Sequence, residues 1–548
     1  MASRSRAVDY IVDQLASRGI GFVFGVDGAN IEDLFDALRS HPDITGVLAK
    51  HEFAAATMAD GYSRAGAEVG VVAATSGGGA LNLIAGLGES YSSRIPVLAL
   101  IGQSPTALDG QGGFQDTSGR GGSLDALRLF SAVSVYCRRV ENPADIGTLL
   151  AEALVAARQG GPAVLLLPKD VQQSEIRVSR TVSVPSHRRT PDPRPVADLL
   201  GRTPGRVVII AGAQVARDDA RAEFEALRDV LGAAVIAAPD ARDVSPDAPV
   251  AGVMGHPDVG DAIGDCEVCL LVGTRLPVTT RVGIEHARTS TPTLSIGAET
   301  PFVPAVHVHS DDLRRSLAQL TDQLRDRPRS EPVAMSHNAL QPPTHDGPGV
   351  RYGDAMTVLD EELPGDADVV VDAGNSGAAA IHLLPARRDG RFVVALGMGG
   401  MGFSFGAAIG MCFARGRRTV VLAGDGSFFM HGMEIHTAVQ YGLPLTVVLF
   451  NNNAHAMCVT RERLFYGGLD SRNRFTTSRL GAGLAAMFPG LPSSDVADVE
   501  SMRTALRAAL AHDGPAVISV DCSADEIPPF AAFLTTTTKE AHRVAART

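Results

Sequence analysis

The chain has 548 residues, of which 45% are hydrophobic and 20% charged, a composition typical of globular proteins. It is too long for a single hydrophobic core, so we expect about three domains. Its 61 acidic and 49 basic residues give a formal charge of -12, and the basic residues form no long block. This pattern argues against nucleic acid as a partner.

The start of the chain has no apolar core with a cleavage site, as a signal peptide would have, and no apolar run reaches the about 20 residues that span a bilayer. The six cysteines are dispersed along the chain, unlike the dense framework of a small secreted protein. We therefore expect a cytoplasmic protein that has reduced thiols and does not insert into a membrane.

Helical stretches and short β-rich runs alternate in three regions. The runs are GVVAATS, PVLALIG and AVLLLP in residues 1–178, then RVVIIAG, AAVIAAP, CLLVGT and PTLSIG in residues 192–326, then DVVVDAG, RTVVLAGDG, LTVVLFNN and AVISVDC in residues 350–535. Such alternation is typical of parallel sheets covered by helices on both faces. Proline-rich linkers separate the regions, and residues 536–548 form a tail. The predicted fold class is α/β, with three doubly wound parallel-sheet domains.

In the first region, Glu52 lies where the β-rich stretch ITGVLA gives way to a predicted helix beginning in HEFAAATMADGYSRA. The alternative is that this carboxylate is an ordinary residue at the start of a helix. The glycine-rich loop SGGGALN follows the next β-rich run. Further along, the run Gly113-Phe114-Gln115-Asp116 is either part of a pocket or a surface loop.

In the third region, a predicted strand ends in Gly424-Asp425-Gly426, a helix follows, and a second strand ends at Asn452. The carboxyl ends of parallel strands meet at one edge of a sheet, where helix N-termini favour a diphosphate. Carboxylate and amide oxygens suit Mg2+. We therefore predict a metal site at Asp425 and Asn452 and a diphosphate cradle at Gly424, Gly426 and Ser427. The alternative is a tight turn beside a polar loop.

The interval between GDG and NN, together with HEFAAATMADGYSRA and GMGGMGFSFGAAIG, resembles the signature of the thiamine diphosphate enzymes. The chain is most similar to the acetolactate synthase branch of that family, over nearly all of its length. The resemblance implies a pyrimidine-binding domain, a central domain and a diphosphate-binding domain, with thiamine diphosphate and Mg2+ as cofactors.

By this resemblance Glu52 is the catalytic carboxylate, which acts at the aminopyrimidine ring. Asp425, Asn452 and the carbonyl of Ala454 would bind the metal, and Met401 would lie beneath the bent cofactor. Phe114 and Gln115 match a run that reaches toward the substrate. The implied cofactor-binding residues are Gly77, Gly79, Asn82, Gly374, Asn375, Ser376, Gly399, Met401, Gly424, Asp425, Gly426, Ser427, Asn452, Ala454, His455, Ala456 and Met457.

Some positions depart from the acetolactate synthase pattern. Arg461 replaces a tryptophan and His455 a glutamine, and Gly78 stands where many relatives have proline. The fixed guanidinium fork of Arg461 suits a carboxylate, so we expect a more anionic or bulkier acceptor than the standard one. The alternative is a solvated arginine. Gly273-Thr274-Arg275 resembles a run found near FAD, but the stretch upstream of it does not match, so FAD is an alternative that we do not favour.

The resemblance implies that a 2-oxo acid loses CO2 and that its acyl anion is transferred to a carbonyl acceptor. A simple decarboxylase that releases an aldehyde is one alternative, and a catalytically silent relative that acts in binding or assembly is another. The resemblance also implies a homo-oligomer, at least a dimer and by expectation a tetramer. Its active sites would lie at subunit interfaces, with Glu52 acting on cofactor held by a second subunit.

Overall fold

The computed structural model describes residues 4–177, 189–190, 192–327, 335, 338–467 and 472–534. It contains three parallel β-sheets flanked by helices, which confirms the predicted fold class. The tail and most of the first predicted linker lie outside the described residues, and the domain boundaries stay predictions.

The first sheet has six parallel strands in the order β3-β2-β4-β5-β7-β6. The first region has two further strands outside this sheet, and its strands in chain order are β1 Arg4–Arg6, β2 Phe22–Val26, β3 Thr45–Leu48, β4 Gly70–Ala74, β5 Val97–Gln103, β6 Tyr136–Arg139, β7 Pro162–Pro168 and β8 Glu175–Arg177. The helices are α1 Ala7–Ala16, α2 Glu32–Ser40, α3 Glu52–Arg64, α4 Gly78–Asn82, α5 Ile84–Ser92, α6 Ala126–Ser131, α7 Ile146–Arg158 and α8 Lys169–Gln173. Strands β4, β5 and β7 are buried along their whole length, as expected where helices cover both faces. Strands β1 and β8 form a separate antiparallel pair.

The central sheet has five parallel strands in the order β10-β9-β11-β12-β13. They are β9 Val207–Ala211, β10 Ala234–Ala237, β11 Val268–Val272, β12 Thr293–Gly297 and β13 Val306–His309. The helices are α9 Arg194–Arg202, α10 Gln214–Arg217, α11 Arg221–Leu231, α12 Val259–Gly264, α13 Val278–Arg281, α14 Glu285–Ser290 and α15 Leu313–Gln323. The short edge strand β13 was not among the predicted runs, since it is only partly buried and offers no continuous apolar stretch.

The third sheet has six parallel strands in the order β15-β14-β16-β17-β19-β18. They are β14 Asp368–Val371, β15 Phe392–Val394, β16 Thr419–Gly424, β17 Leu445–Asn451, β18 Ser493–Val496 and β19 Ala516–Asp521. The helices are α16 Tyr352–Glu362, α17 Asn375–Leu383, α18 Phe403–Arg415, α19 Asp425–His431, α20 Ile435–Tyr441, α21 Ala456–Phe465, α22 Leu480–Met487, α23 Val499–Ala511 and α24 Ala531–Leu534. The two short edge strands β15 and β18 were also not among the predicted runs.

Helices α3 and α18 join the first and third sheets through small residues. A side-chain carbon at Gly61 would overlap the backbone of Ala407, and one at Gly410 would overlap the backbone of Met58. The glycines therefore let two helix backbones approach closely. This contact fixes the first turn of α3 relative to the third sheet.

None of the helices in the described ranges has the length and apolarity needed to cross a membrane.

Candidate active site

The first turn of α3 presents Glu52. Strand β3 ends at Leu48, and α3 begins at Glu52 itself, where the His51 ring nitrogen Nδ1 accepts the Phe53 N–H at 3.1 Å. Glu52 is only 9% exposed. A carboxylate in this position is stabilised by the free N–H groups and the dipole of the helix N-terminus.

The glycine-rich loop after β4 closes around this carboxylate. The side-chain nitrogen Nδ2 of Asn82 donates to Glu52 Oε2 at 2.9 Å. A Cβ added at Gly79 would lie 2.8 Å from Glu52 Oε1. The structure therefore brings three of the predicted residues, Glu52, Gly79 and Asn82, into contact. A side chain at position 79 would therefore have to displace the Glu52 carboxylate.

Gln115 packs against the glycine-rich loop that follows β4, whereas the neighbouring Phe114 is exposed. The oxygen Oε1 of Gln115 accepts from the Thr75 hydroxyl at 3.4 Å, and a Cβ at Gly77 would lie 2.9 Å from the Gln115 side chain. Gln115 has a positive φ of 57°, which turns its side chain back over the loop. The Phe114 side chain is 74% exposed in the single chain.

Asp425 and Asn452 meet at the carboxyl ends of β16 and β17. Asp425 Oδ2 and Asn452 Oδ1 accept from the same N–H, that of Ala454, at 3.2 and 3.0 Å. Burial raises the pKa of Asp425 to about 6, and in the described part of the chain no basic side chain forms an ion pair with it. A buried carboxylate beside an amide oxygen, without a protein cation, fits a divalent metal ion such as Mg2+.

The N-terminus of α19 forms the neighbouring cradle. A Cβ at Gly424 would meet nothing within 4 Å, so this side of the turn is open, whereas one at Gly426 would lie 2.6 Å from His455 Nδ1. That ring nitrogen is buried and has no hydrogen-bond partner among the described residues. A buried ring nitrogen that can donate a hydrogen bond, next to a helix N-terminus, fits an anionic diphosphate.

Met401 lies next to this cradle, on the segment between β15 and α18. Its terminal methyl group would be 3.1 Å from a Cβ at Gly426. A Cβ at Gly400 would lie 3.8 Å from the ring of Phe53, the residue after Glu52. Gly399, on the same segment, has a positive φ of 65°. The segment thus connects the start of α3 with the start of α19.

The other predicted residues of the third domain lie at helix starts around this edge of the sheet. Gly374 is the N-cap of α17, followed by the buried Asn375 and Ser376, while Ala456 and Met457 begin α21. Arg461 lies half-buried on α21 with its guanidinium 5.8 Å from the Phe465 ring centre. In the described ranges it has no carboxylate partner, so it could bind an anion.

Two contacts that the sequence analysis missed hold the site together. Both carboxylate oxygens of Glu434 accept the backbone N–H of Lys50, at 3.0 and 3.1 Å, just before α3. The hydroxyl of Tyr352 accepts from Asn452 Nδ2 at 3.2 Å. These partners are 384 and 100 residues apart in sequence, so no local pattern could have indicated them.

A cleft of about 280 Å³ lies between the three domains, and Gly273, Thr274 and Arg275 line it. Arg94 and Arg275 both pair with Glu299 there, at 3.6 and 3.2 Å. The volume lies just below the range of about 300 Å³ or more that is usual for small-molecule sites. FAD stays a disfavoured alternative.

Comparison with known families agrees with this geometry. "Thiamine pyrophosphate enzyme, N-terminal TPP binding domain" matches residues 5–121, the central domain of the same family matches residues 196–312, and its C-terminal TPP binding domain matches residues 372–520. The chain therefore belongs to the thiamine pyrophosphate enzymes.

Within that family the chain is similar to acetolactate synthase large subunits. It is 27% identical to the probable large subunit of Methanocaldococcus jannaschii, covering 94% of this chain and 91% of the relative. It is 29% identical to the isozyme 2 large subunit of Escherichia coli, covering 94% and 95%, and 28% identical to the isozyme 3 large subunit, covering 85% of each. The relatives thus match across all three domains.

Proposed function

We propose that this protein is a thiamine diphosphate and Mg2+ dependent carboligase of the acetolactate synthase type. It would decarboxylate a 2-oxo acid and transfer the acyl anion to a carbonyl acceptor. The observation that carries the proposal is the buried Glu52 carboxylate, held by Asn82 above Gly79 and linked through Phe53 and the Met401 segment to the Asp425 and Asn452 edge. Names of similar proteins support the same chemistry.

When bound, thiamine diphosphate supplies the carbanion stabilisation that lets a 2-oxo acid lose CO2. Asp425, Asn452 and the carbonyl of Ala454 would hold the Mg2+, and the N-termini of α17 and α19 would hold the diphosphate. Glu52 would hold and move a proton at ring nitrogen N1' of the aminopyrimidine. Met401 would support the bend of the cofactor.

The remaining residues would shape the substrate side of the site. Gln115, fixed against Thr75 and Ser76, offers its amide to the substrate, and Arg461 offers a guanidinium to a carboxylate on the acceptor. The burial of Glu52 and Asp425 limits access of water to the reacting groups. We therefore propose an acceptor that is more anionic or bulkier than the standard 2-oxo acid.

We also infer a homo-oligomer of at least two chains. The resemblance implies that Glu52 acts on cofactor held by the partner, whereas the contact of Phe53 with the Met401 segment joins the two halves of the site within one chain. Large apolar side chains that are exposed in the single chain support this inference, because extensive exposed apolar surface usually marks an interface. They are Leu48, Leu81, Met398, Phe429, Met430 and Met433, on segments that border the site.

Sedimentation velocity measures the number of chains in the assembly. Mixing Glu52→Gln chains with Asp425→Ala chains tests whether sites are shared, since mixed dimers would regain one complete site.

The reaction is tested by incubating the protein with thiamine diphosphate, Mg2+ and a panel of 2-oxo acids, with and without aldehydes. Mass spectrometry of the products together with measured CO2 decides the outcome. Ligated products support the carboligase and identify its donor. Aldehyde alone would indicate a simple decarboxylase, and an absence of CO2 with every donor would favour a silent relative.

A further inference from the structure

Asp372, which follows strand β14, is a buried carboxylate at the centre of the third domain's loops. It is 2% exposed. It accepts the backbone N–H of Gly402 at 3.0 and 3.1 Å, the N–H of Ser404 at 3.0 Å and the hydroxyl of Ser427 at 2.6 Å. In the described part of the chain it forms no ion pair, so these donors and the α18 N-terminus stabilise its charge.

The donors come from two segments that the proposed function assigns to different parts of one cofactor. Gly402 is the N-cap of α18, and the segment just before it holds Gly399 and Met401. Ser427 lies in the first turn of α19, two residues after Asp425. One carboxylate therefore fixes the thiamine-side segment and the diphosphate-side helix relative to each other.

This arrangement changes the role of the Ser427 side chain. A serine hydroxyl has one proton to donate, and that of Ser427 goes to Asp372. Ser427 then has only its backbone N–H to offer a phosphate oxygen. The hydroxyl is part of the support beneath the cradle.

We propose that Asp372 is a positioning residue that holds the two cofactor-binding segments in register, and that Ser427 acts through it. The inference rests on the proposed function. It goes further because it assigns the relative position of the Met401 segment and α19 to one buried carboxylate, which would not itself contact the cofactor.

The test measures binding by isothermal titration calorimetry at saturating Mg2+, with thiamine diphosphate and with inorganic diphosphate as probes. In Asp372→Asn one acceptor oxygen becomes an NH2 group, which cannot accept, so at least one donor loses its partner. We expect thiamine diphosphate to bind about tenfold more weakly or worse, the loss expected for a hydrogen bond to a charged group. Inorganic diphosphate would contact the N-termini of α17 and α19 but not the Met401 segment, so it should lose less affinity.

A double-mutant cycle separates the two roles of Ser427. In the Asp372→Ala background, Ser427→Ala should cost no further affinity, whereas a hydroxyl that served the phosphate directly would cost the same in both backgrounds. Ser519→Ala is the matched control, since the Ser519 hydroxyl is buried on β19 and lacks a partner among the described residues. If Asp372→Ala fails to fold, the affinities of wild type and Asp372→Asn for the two probes decide whether Asp372 is a positioning residue.

Equal affinities of wild type and Asp372→Asn for thiamine diphosphate would overturn the inference while leaving the proposed function intact. Equal losses for both probes would also overturn it, because general destabilisation would then explain the effect. A wild-type protein that does not bind thiamine diphosphate at all would overturn the proposed function and this inference together.

Discussion

Glu52 and Asn82 form a hydrogen bond of 2.9 Å from the side-chain amide to the carboxylate, and this bond joins the first turn of α3 to the end of α4. The other carboxylate oxygen lies over Gly79, where an added Cβ would come within 2.8 Å of it. The carboxylate that we propose as catalytic is therefore held by a donor on one side and bounded by Gly79 on the other. This rigidity is what proton transfer at a defined atom requires.

Gly79→Ala should displace Glu52, since the added Cβ would lie 2.8 Å from its Oε1. We expect kcat/KM to fall about 100-fold, the size of effect that a displacement of about 1 Å can have. The measurement is steady-state CO2 release. Gly78→Ala is the matched control, because a Cβ there would meet nothing within 4 Å, and it should stay within about twofold of wild type. Equal losses in both variants would contradict this account of Gly79.

Gly410→Ala should separate α3 from α18, because the new Cβ would overlap the backbone of Met58. We expect the free energy of unfolding to fall by about 2 to 3 kcal/mol, as is typical of overpacking. Denaturant unfolding measures it. Gly353→Ala, on the exposed start of α16 with open space around it, should instead gain up to about 1 kcal/mol. An unchanged stability in Gly410→Ala would show that the helices can separate freely.

The fold class and the position of Glu52 at the start of a helix could be predicted from sequence because their signals are local. Buried strands such as β5 and β7 appear as continuous apolar runs, and Glu52 lies within one characteristic motif. The role of Asp372 could not be predicted, since Ser427 is 55 residues away and the bond between them depends on how two strand ends are juxtaposed. The Tyr352 contact to Asn452 has the same origin. The edge strands β13 and β18 were missed because they are only partly buried and offer no continuous apolar run, and β15 because it has only three residues.

His431 should make stability depend on pH. It stacks on Phe53, and burial, together with the nearby His51, lowers its pKa to about 4 from the ordinary 6.5. Between these values the unfolded chain binds a proton that the folded protein excludes. The contribution of the buried, neutral His431 ring to the free energy of unfolding is therefore complete above pH 6.5 and is lost as the pH falls toward 4. Because the ring is only half-buried, we expect the loss to be about 1 kcal/mol.

The check is to measure the free energy of unfolding of wild type and of His431→Asn between about pH 7.5 and about pH 5. This range brackets the ordinary histidine pKa. The variant should show a shallower decline as the pH falls. Parallel curves for the two proteins would mean that His431 does not cause the dependence.

Arg461→Leu should raise the KM for an anionic acceptor about tenfold or more, since a charge-assisted hydrogen bond would be lost. Ligation to a neutral aldehyde should change little. Arg463→Leu is the control on the same helix, as Arg463 is exposed and lies 3.8 Å from Asp525. If both variants raise the KM equally, or Arg461→Leu affects both acceptors alike, Arg461 is not the acceptor-binding residue.

The most direct test of the whole account is Glu52→Gln, assayed for both cofactor binding and turnover. The amide preserves the size of the side chain but cannot exchange the proton at the aminopyrimidine nitrogen. We predict that thiamine diphosphate still binds with Mg2+, as calorimetry would show. CO2 release from the best 2-oxo acid should fall by about 100-fold or more, which is the effect expected when general acid-base catalysis is lost. Turnover near the wild-type level with bound cofactor would contradict the assignment of Glu52, and with it the central claim.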